Sequence, residues 1–144
     1  MSTYPSIFND VIGPVMRGPS SSHCAASLRI ARICRDLMDE QIKDILITFD
    51  PKGSLATTHK SQGSDMGLFG GFLGWEAFDE RLQDSEQYLA TAGINYSIKI
   101  CELAEKHPNT YQITLTNDNE KRTLVAISTG GGMIEVINID GNKV

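Results

Sequence analysis

Apolar residues recur with two different periods along this chain, and the change of period divides it in two. Over 21–40, Ala26, Ile30, Ile33 and Leu37 fall at steps of four, three and four, which lays one apolar stripe along a helix. Arg29, Arg32 and Arg35 sit on the other side, the pattern of a solvated face. Ile45, Ile47 and Phe49 then alternate with polar neighbours, as in a half-buried strand, and Asp50-Pro51-Lys52-Gly53 supplies a turn. A short extended piece over 54–58 leads to Ser61-Gln62-Gly63-Ser64-Asp65 and an apolar stretch over 66–75. Gly67, Gly70, Gly71 and Gly74 make that stretch a poor isolated helix, at about 1 kcal/mol each against alanine. Glycines on one helix face also let a second backbone come close, so the pattern predicts a short buried helix. A more polar helix is expected over 79–92, with Gly93 at its left-handed C-terminal cap.

Beyond Gly93 the period is two. Ile94, Tyr96, Ile98 and Ile100 alternate, followed by Tyr111, Ile113 and Leu115, then 123–127, then 133–139. Asn117-Asp118-Asn119 is a tight-turn sequence, and Thr129-Gly130-Gly131-Gly132 separates the last two strands. The expected fold is α+β, with helices packed on one face of a mainly antiparallel or mixed sheet. No internal repeat, low-complexity tract or interdomain linker interrupts it, so residues 1–144 are expected to form a single domain.

Composition narrows the function classes. The chain is 40% hydrophobic and 22% charged, and no apolar run is long enough for a bilayer. The first ten residues show no basic segment followed by an apolar one, so a cytoplasmic location is expected. A net charge of −5 speaks against nonspecific binding to nucleic acid or acidic membranes, which needs clustered Lys and Arg. Cys24, Cys34 and Cys101 are odd in number and widely spaced, unlike a disulfide framework or a CxxC metal site. They read as reduced, mostly buried thiols, and no metal ligands are expected on this chain.

Candidate chemistry concentrates in four loop-like segments. Gly18-Pro19-Ser20-Ser21-Ser22-His23 gathers hydroxyls and an imidazole where a helix begins, and unpaired first-turn N–H groups there suit a carboxylate or phosphate. A plain N-terminal cap with a solvated histidine reads the same residues equally well. Asp65, after Gly63-Ser64, is a helix cap or an orienting carboxylate. His107-Pro108-Asn109-Thr110 is ordinary turn chemistry unless it shares a site, and Ser128 with Gly130-Gly131-Gly132 is a flexible connection unless a ligand approaches it. A Ser-His hydrolase is discounted, because neighbours in sequence do not make a triad and no nucleophile elbow is present.

As an ordered set these segments resemble the beta subunit, or beta domain, of the bacterial iron-sulfur-dependent L-serine dehydratases. The residues that carry the resemblance are Ser6-Ile7-Phe8, Ile12-Gly13-Pro14-Val15-Met16, the stretch 18–23 with Arg29, Gly53-Ser54-Leu55-Ala56, Gly63-Ser64-Asp65, His107-Pro108-Asn109-Thr110, and Ser128 with Gly130-Gly131-Gly132. The resemblance implies a hydro-lyase that converts L-serine to pyruvate and ammonia, with a 4Fe-4S iron-sulfur cluster held by a partner alpha subunit. It implies that Ser20, Ser21 and Ser22 bind the substrate carboxylate or close the site, and that His23 orients or transfers a proton. Gln62, Asp65, His107 and Asn109 would line the same region, His107 joining His23 as a catalytic residue. The expected partners are the alpha subunit and a small amino-acid substrate, and a homodimer of this domain is also allowed.

The same family resembles, in this domain, the allosteric substrate-binding domain of some phosphoglycerate dehydrogenases. That resemblance implies the alternative of a non-catalytic sensor for serine or a related small anion. Two departures from the family pattern bear on the choice. Ser61-Gln62-Gly63-Ser64-Asp65 stands where the family tends to have Gly-His-Gly-Thr-Asp, so an amide replaces an imidazole and cannot serve as a base near neutral pH. Cys24-Ala25-Ala26-Ser27 stands where the family tends to have Thr-Ala-Gly, which opens the choice of substrate. Many beta subunits also continue into a small regulatory domain of the ACT type, whereas this sequence stops at Val144.

Overall fold

The computed structural model describes residues 21–53, 55, 64–76, 79–103, 107, 109–130 and 132–143, with only the backbone for 21–23 and 130. Helix α1 (Ser21–Leu37) leads to strand β1 (Asp44–Phe49), and helix α2 (Ser64–Phe72) follows. A 3₁₀ turn (Glu80–Asp84) runs into α3 (Ser85–Thr91). Strands β2 (Asn95–Ile100), β3 (Thr110–Thr116), β4 (Lys121–Gly130), β5 (Met133–Ile139) and β6 (Asn142–Lys143) come after it. They form one sheet in the order β2-β1-β3-β4-β5-β6. The β1–β2 pair is parallel and the others are antiparallel. A parallel pair needs a crossover, and α2 and α3 supply it. The expected α+β fold with a mixed sheet is the one observed.

Alternation sorts each strand. Ile45, Ile47 and Phe49 of β1 and Tyr111, Ile113 and Leu115 of β3 turn to the helical side and are buried with Ile30, Cys34 and Phe72 in one core. A smaller cluster of Cys24, Leu28, Trp75 and Leu82 lies on the far side of α1. The buried surface of α1 is therefore wider than the stripe read from sequence. Cys24, Leu28 and Ala31 are buried, while Ile33 and Leu37 are only half-buried, because α2 covers a second face of the helix.

The α1–α2 contact depends on missing side chains. A Cβ at Gly67 would lie 2.1 Å from Ser27 Oγ and 2.3 Å from the Cys24 carbonyl oxygen. At Gly71 it would lie 2.4 Å from the Leu28 oxygen and 2.5 Å from Ala31 Cβ. The glycines thus serve the close approach expected of them. The pairing of 67 with 24 and 71 with 28 and 31 also makes the two helices run parallel.

Several boundaries move. α1 stops at Leu37 instead of reaching Glu40, and its end is tied by Glu40 N–H to the Arg35 oxygen (2.8 Å) and Asp39 N–H to the Asp36 oxygen (3.1 Å). That is a Schellman arrangement with left-handed Asp39 (φ 50°) where glycine is usual, so no glycine marked the stop. Leu55 lies in a helical turn and is buried, not extended. The helix expected over 79–92 is a 3₁₀ turn continued by α3. It ends as expected at Gly93 (φ 82°), where Ile94 N–H reaches the Leu89 oxygen (3.2 Å). The helix arginines are not simply solvated: Arg32 pairs with Glu76 at 2.9 Å, and the Arg35 guanidinium lies against Gly74.

Candidate functional site

Parallel packing places the starts of α1 and α2 side by side. The opposite end of α1 is fixed by Arg122, whose Nη1 donates to the Leu37 oxygen at 3.4 Å. Near its start, Arg29 Nη1 donates to the Gly132 oxygen at 3.1 Å, and Gly132 (φ 82°) comes close enough that a Cβ would meet Ala25 Cβ at 3.4 Å. The β4–β5 turn is thereby held against the first turns of α1. A register shift between Ser128 and Gly130 gives β4 an extra residue, Thr129, and bends the strand end where it makes this approach.

The neighbouring strand brings the next segment. Ser128 N–H donates to the Asn109 oxygen at 3.0 Å. Asn109 N–H in turn donates to His107 Nδ1 at 3.0 Å, and Thr110 Oγ1 donates to the His107 oxygen at 2.6 Å. With Nδ1 accepting, the ring proton sits on Nε2. Tyr111, the next residue of β3, hydrogen-bonds through its hydroxyl to Ser64 Oγ at 3.1 Å, both groups being buried. Burial pushes the Tyr111 phenol up to about 12. This bond anchors the start of α2 to the same end of the sheet.

Three of the sequence segments therefore converge with the start of α1: Ser64-Asp65, His107 to Thr110, and Ser128 to Gly132. Ser20 and Gln62 lie outside the described residues, as do the side chains of Ser21, Ser22 and His23, whose backbone opens α1. Asp65 is the second residue of α2 and not its cap, because the helix starts earlier than the apolar stretch suggested. Its side chain lines a cleft of about 340 Å³ between α2, α3 and β2, with Phe69, Glu86, Tyr96 and Ile98. Neither His107 nor Asn109 lines that cleft among the described residues. The Tyr96 hydroxyl hydrogen-bonds the Glu86 carboxylate, which with burial pushes the phenol up to about 12.

Two contributors were missed in sequence. Asp50 was read as a turn residue, yet its carboxylate is buried and accepts from Lys52 N–H (2.8 Å) and Leu103 N–H (2.9 Å). It fixes the end of β1 to the segment that leads toward His107. Tyr111 was read only as a strand residue, and its alternation carried no sign of the hydroxyl's partner. Asp-Pro at 50–51 was the available signal for the first.

Cys24 and Cys34 are free and fully buried, and burial pushes the Cys24 thiol up to about 11 and Cys34 higher still. Among the described residues no three His, Cys, Asp or Glu side chains gather as a metal site. No described helix is long and apolar enough to cross a membrane.

The described residues form an α+β fold in which the starts of two parallel helices lie beside the start of β3 and the end of β4. The chain belongs to the serine dehydratase beta chain family, whose model matches residues 8–138. It is 40% identical over 138 residues to the probable L-serine dehydratase beta chain of Bacillus subtilis (strain 168), covering 96% of this chain and 61% of that protein. It is 36% identical over 134 residues to the L-serine dehydratase beta chain of Peptoniphilus asaccharolyticus, covering 92% of this chain and 60% of that protein. The chain thus spans about three fifths of the length of these curated relatives.

Proposed function

We propose that this chain acts as the beta component of an L-serine dehydratase, supplying one wall of a site completed by a cluster-bearing alpha chain. The reaction is elimination of water from L-serine, after which the resulting enamine tautomerises to an imine that takes up water again, for a net conversion to pyruvate and ammonia. The convergence of His107 to Thr110 and Ser128 to Gly132 on the start of α1, in a member of this family, is the observation that supports the reading most directly. The three cysteines do not suit a 4Fe-4S cluster, since Cys24 and Cys34 are sealed with their thiols protonated and the half-buried Cys101 alone is too few ligands. The cluster accordingly belongs to the alpha chain in this proposal, and no step is assigned to it here.

The roles left to this chain are binding and proton handling. Ser20, Ser21 and Ser22 receive the substrate carboxylate at the positive end of α1, and His23 orients or moves a proton. His107, its ring held by the Asn109 N–H on Nδ1, joins His23 on the wall that faces the substrate. Gln62, an amide, contributes hydrogen bonds and not proton abstraction.

The test is reconstitution with an alpha chain under anaerobic conditions, with pyruvate release measured for the parent and His23→Ala. Loss of turnover on the order of a hundredfold is expected for the variant. Undiminished turnover would remove His23 from the mechanism, and serine binding without turnover by the assembled parent would favour the sensor alternative.

A further inference from the structure

Among the described residues, strand β2 forms one outer edge of the sheet. Asn95 and Cys101 direct their N–H groups inward, to the oxygens of Lys43 (2.8 Å) and Phe49 (3.0 Å). Backbone groups alternate in direction along a strand, so the N–H and C=O of Tyr96, Ile98 and Ile100 face outward. Edges of this kind are normally blunted by proline, bulges, several charges or shortness. Here the six residues Asn95 to Ile100 pair with β1 in unbroken register, contain no proline, and carry Lys99 as their one charge. Ile100 is 45% exposed on this edge.

We propose that this edge is a self-association surface, on which two copies of the chain pair β2 to β2, antiparallel, about a twofold axis at Ile98. That axis sets Ile98 opposite Ile98 of the second copy and Tyr96 opposite its Ile100. All of these residues point their backbone groups outward, so every facing pair exchanges both hydrogen bonds. Ile100 gains an aromatic neighbour, a favourable cross-strand pair. On the other face Ser97 meets Lys99 of the second copy, and no like charges are opposed. Neighbouring registers do worse. An axis at Ser97 sets Ile100 against Ile94, whose N–H is already committed to Leu89, and an axis at Lys99 brings the two ammonium groups together. Self-complementarity of one patch is what a twofold interface requires, and it singles out a second copy as the occupant. Tyr96 and Ile98 also border the cleft next to Asp65 and Glu86, so the second copy would wall its open side.

Sedimentation equilibrium on the full chain tests this through position 97, which is exposed and outside both cores. Ser97→Lys places like charges opposite each other twice and is expected to weaken the dimer about tenfold. Ser97→Glu opposes Lys99 and is expected to tighten it several-fold, and Lys99→Glu added to Ser97→Lys is expected to restore parental affinity. A parent that stays monomeric up to high concentration would overturn the proposal. So would a dimer indifferent to these changes, one weakened by both single substitutions, or an edge that responds only to added alpha chain.

Discussion

Cys24 and Tyr111 both lie where α1 and α2 begin, and each keeps its proton because burial disfavours the charged form. This links stability to alkaline pH with a definite sign. The Cys24 thiol ionises near 9.0 in the unfolded chain and near 11 in the folded one, so the unfolded state holds fewer protons between those values and stability falls as pH rises. Tyr111 acts the same way between 10.0 and about 12, and Cys34 adds to the trend from 9.0 upward. Urea unfolding at a series of pH values should show a flat midpoint at neutral pH and a decline that starts near 9. Cys24→Ala should make that decline shallower between 9 and 11, by roughly 2 kcal/mol in total. A slope unchanged by the substitution would mean that Cys24 ionises freely in the folded protein.

At the scale of elements, glycine placement decides how α1 and α2 meet. The two helices pack backbone to side chain at Gly67 and Gly71, and a methyl group at either would sit within 2.5 Å of Cys24, Ser27, Leu28 or Ala31. Gly93 is different: its φ of 82° strains any other residue, but nothing lies within 4 Å. Chemical denaturation should therefore rank the alanine variants. Gly67→Ala and Gly71→Ala should cost about 3 kcal/mol or more through overpacking, and Gly93→Ala about 1 kcal/mol through backbone strain alone. Equal costs at all three would show that the helices separate freely. The apolar stretch with its four glycines announced this packing in sequence, as did the alternation of Tyr111, Ile113 and Leu115 for β3. The end of α1 was not legible, because Asp39 takes the left-handed position that glycine usually marks. Nor was the short β6, whose two residues carry too little pattern, although Asp140-Gly141 (φ 54° and 87°) is the hairpin dipeptide that precedes it.

Across the whole molecule, the site depends on hydrogen bonds between segments far apart in sequence, and such bonds leave no periodicity to read. The polar composition of 107–110 and 128–132 marked them as candidates, while their meeting through Ser128 and Asn109 emerges only from the order of strands in the sheet. Arg29 is the clearest case. Its place among three helix arginines suggested a solvated face, yet it alone reaches across 103 positions to the Gly132 oxygen. Arg32, one turn on, pairs with Glu76 where both side chains are about half exposed, 43% and 56%. Exposed pairs of that kind contribute little. Removing Arg29 should free the glycine turn from α1 and displace a wall of the proposed serine site. In the complex with an alpha chain, Arg29→Ala is expected to lower kcat/KM for L-serine on the order of tenfold or more, because small misplacements near reacting groups are costly. Arg32→Ala should leave turnover within about twofold, and Arg29→Lys should recover part of the loss if the contact is the donated hydrogen bond. Amide hydrogen exchange at Thr129 and Met133 provides an independent readout, with faster exchange expected in Arg29→Ala only. If Arg29→Ala and Arg32→Ala proved equally harmless in both measurements, the glycine turn would hold its position without α1 and the shared site would lose that wall.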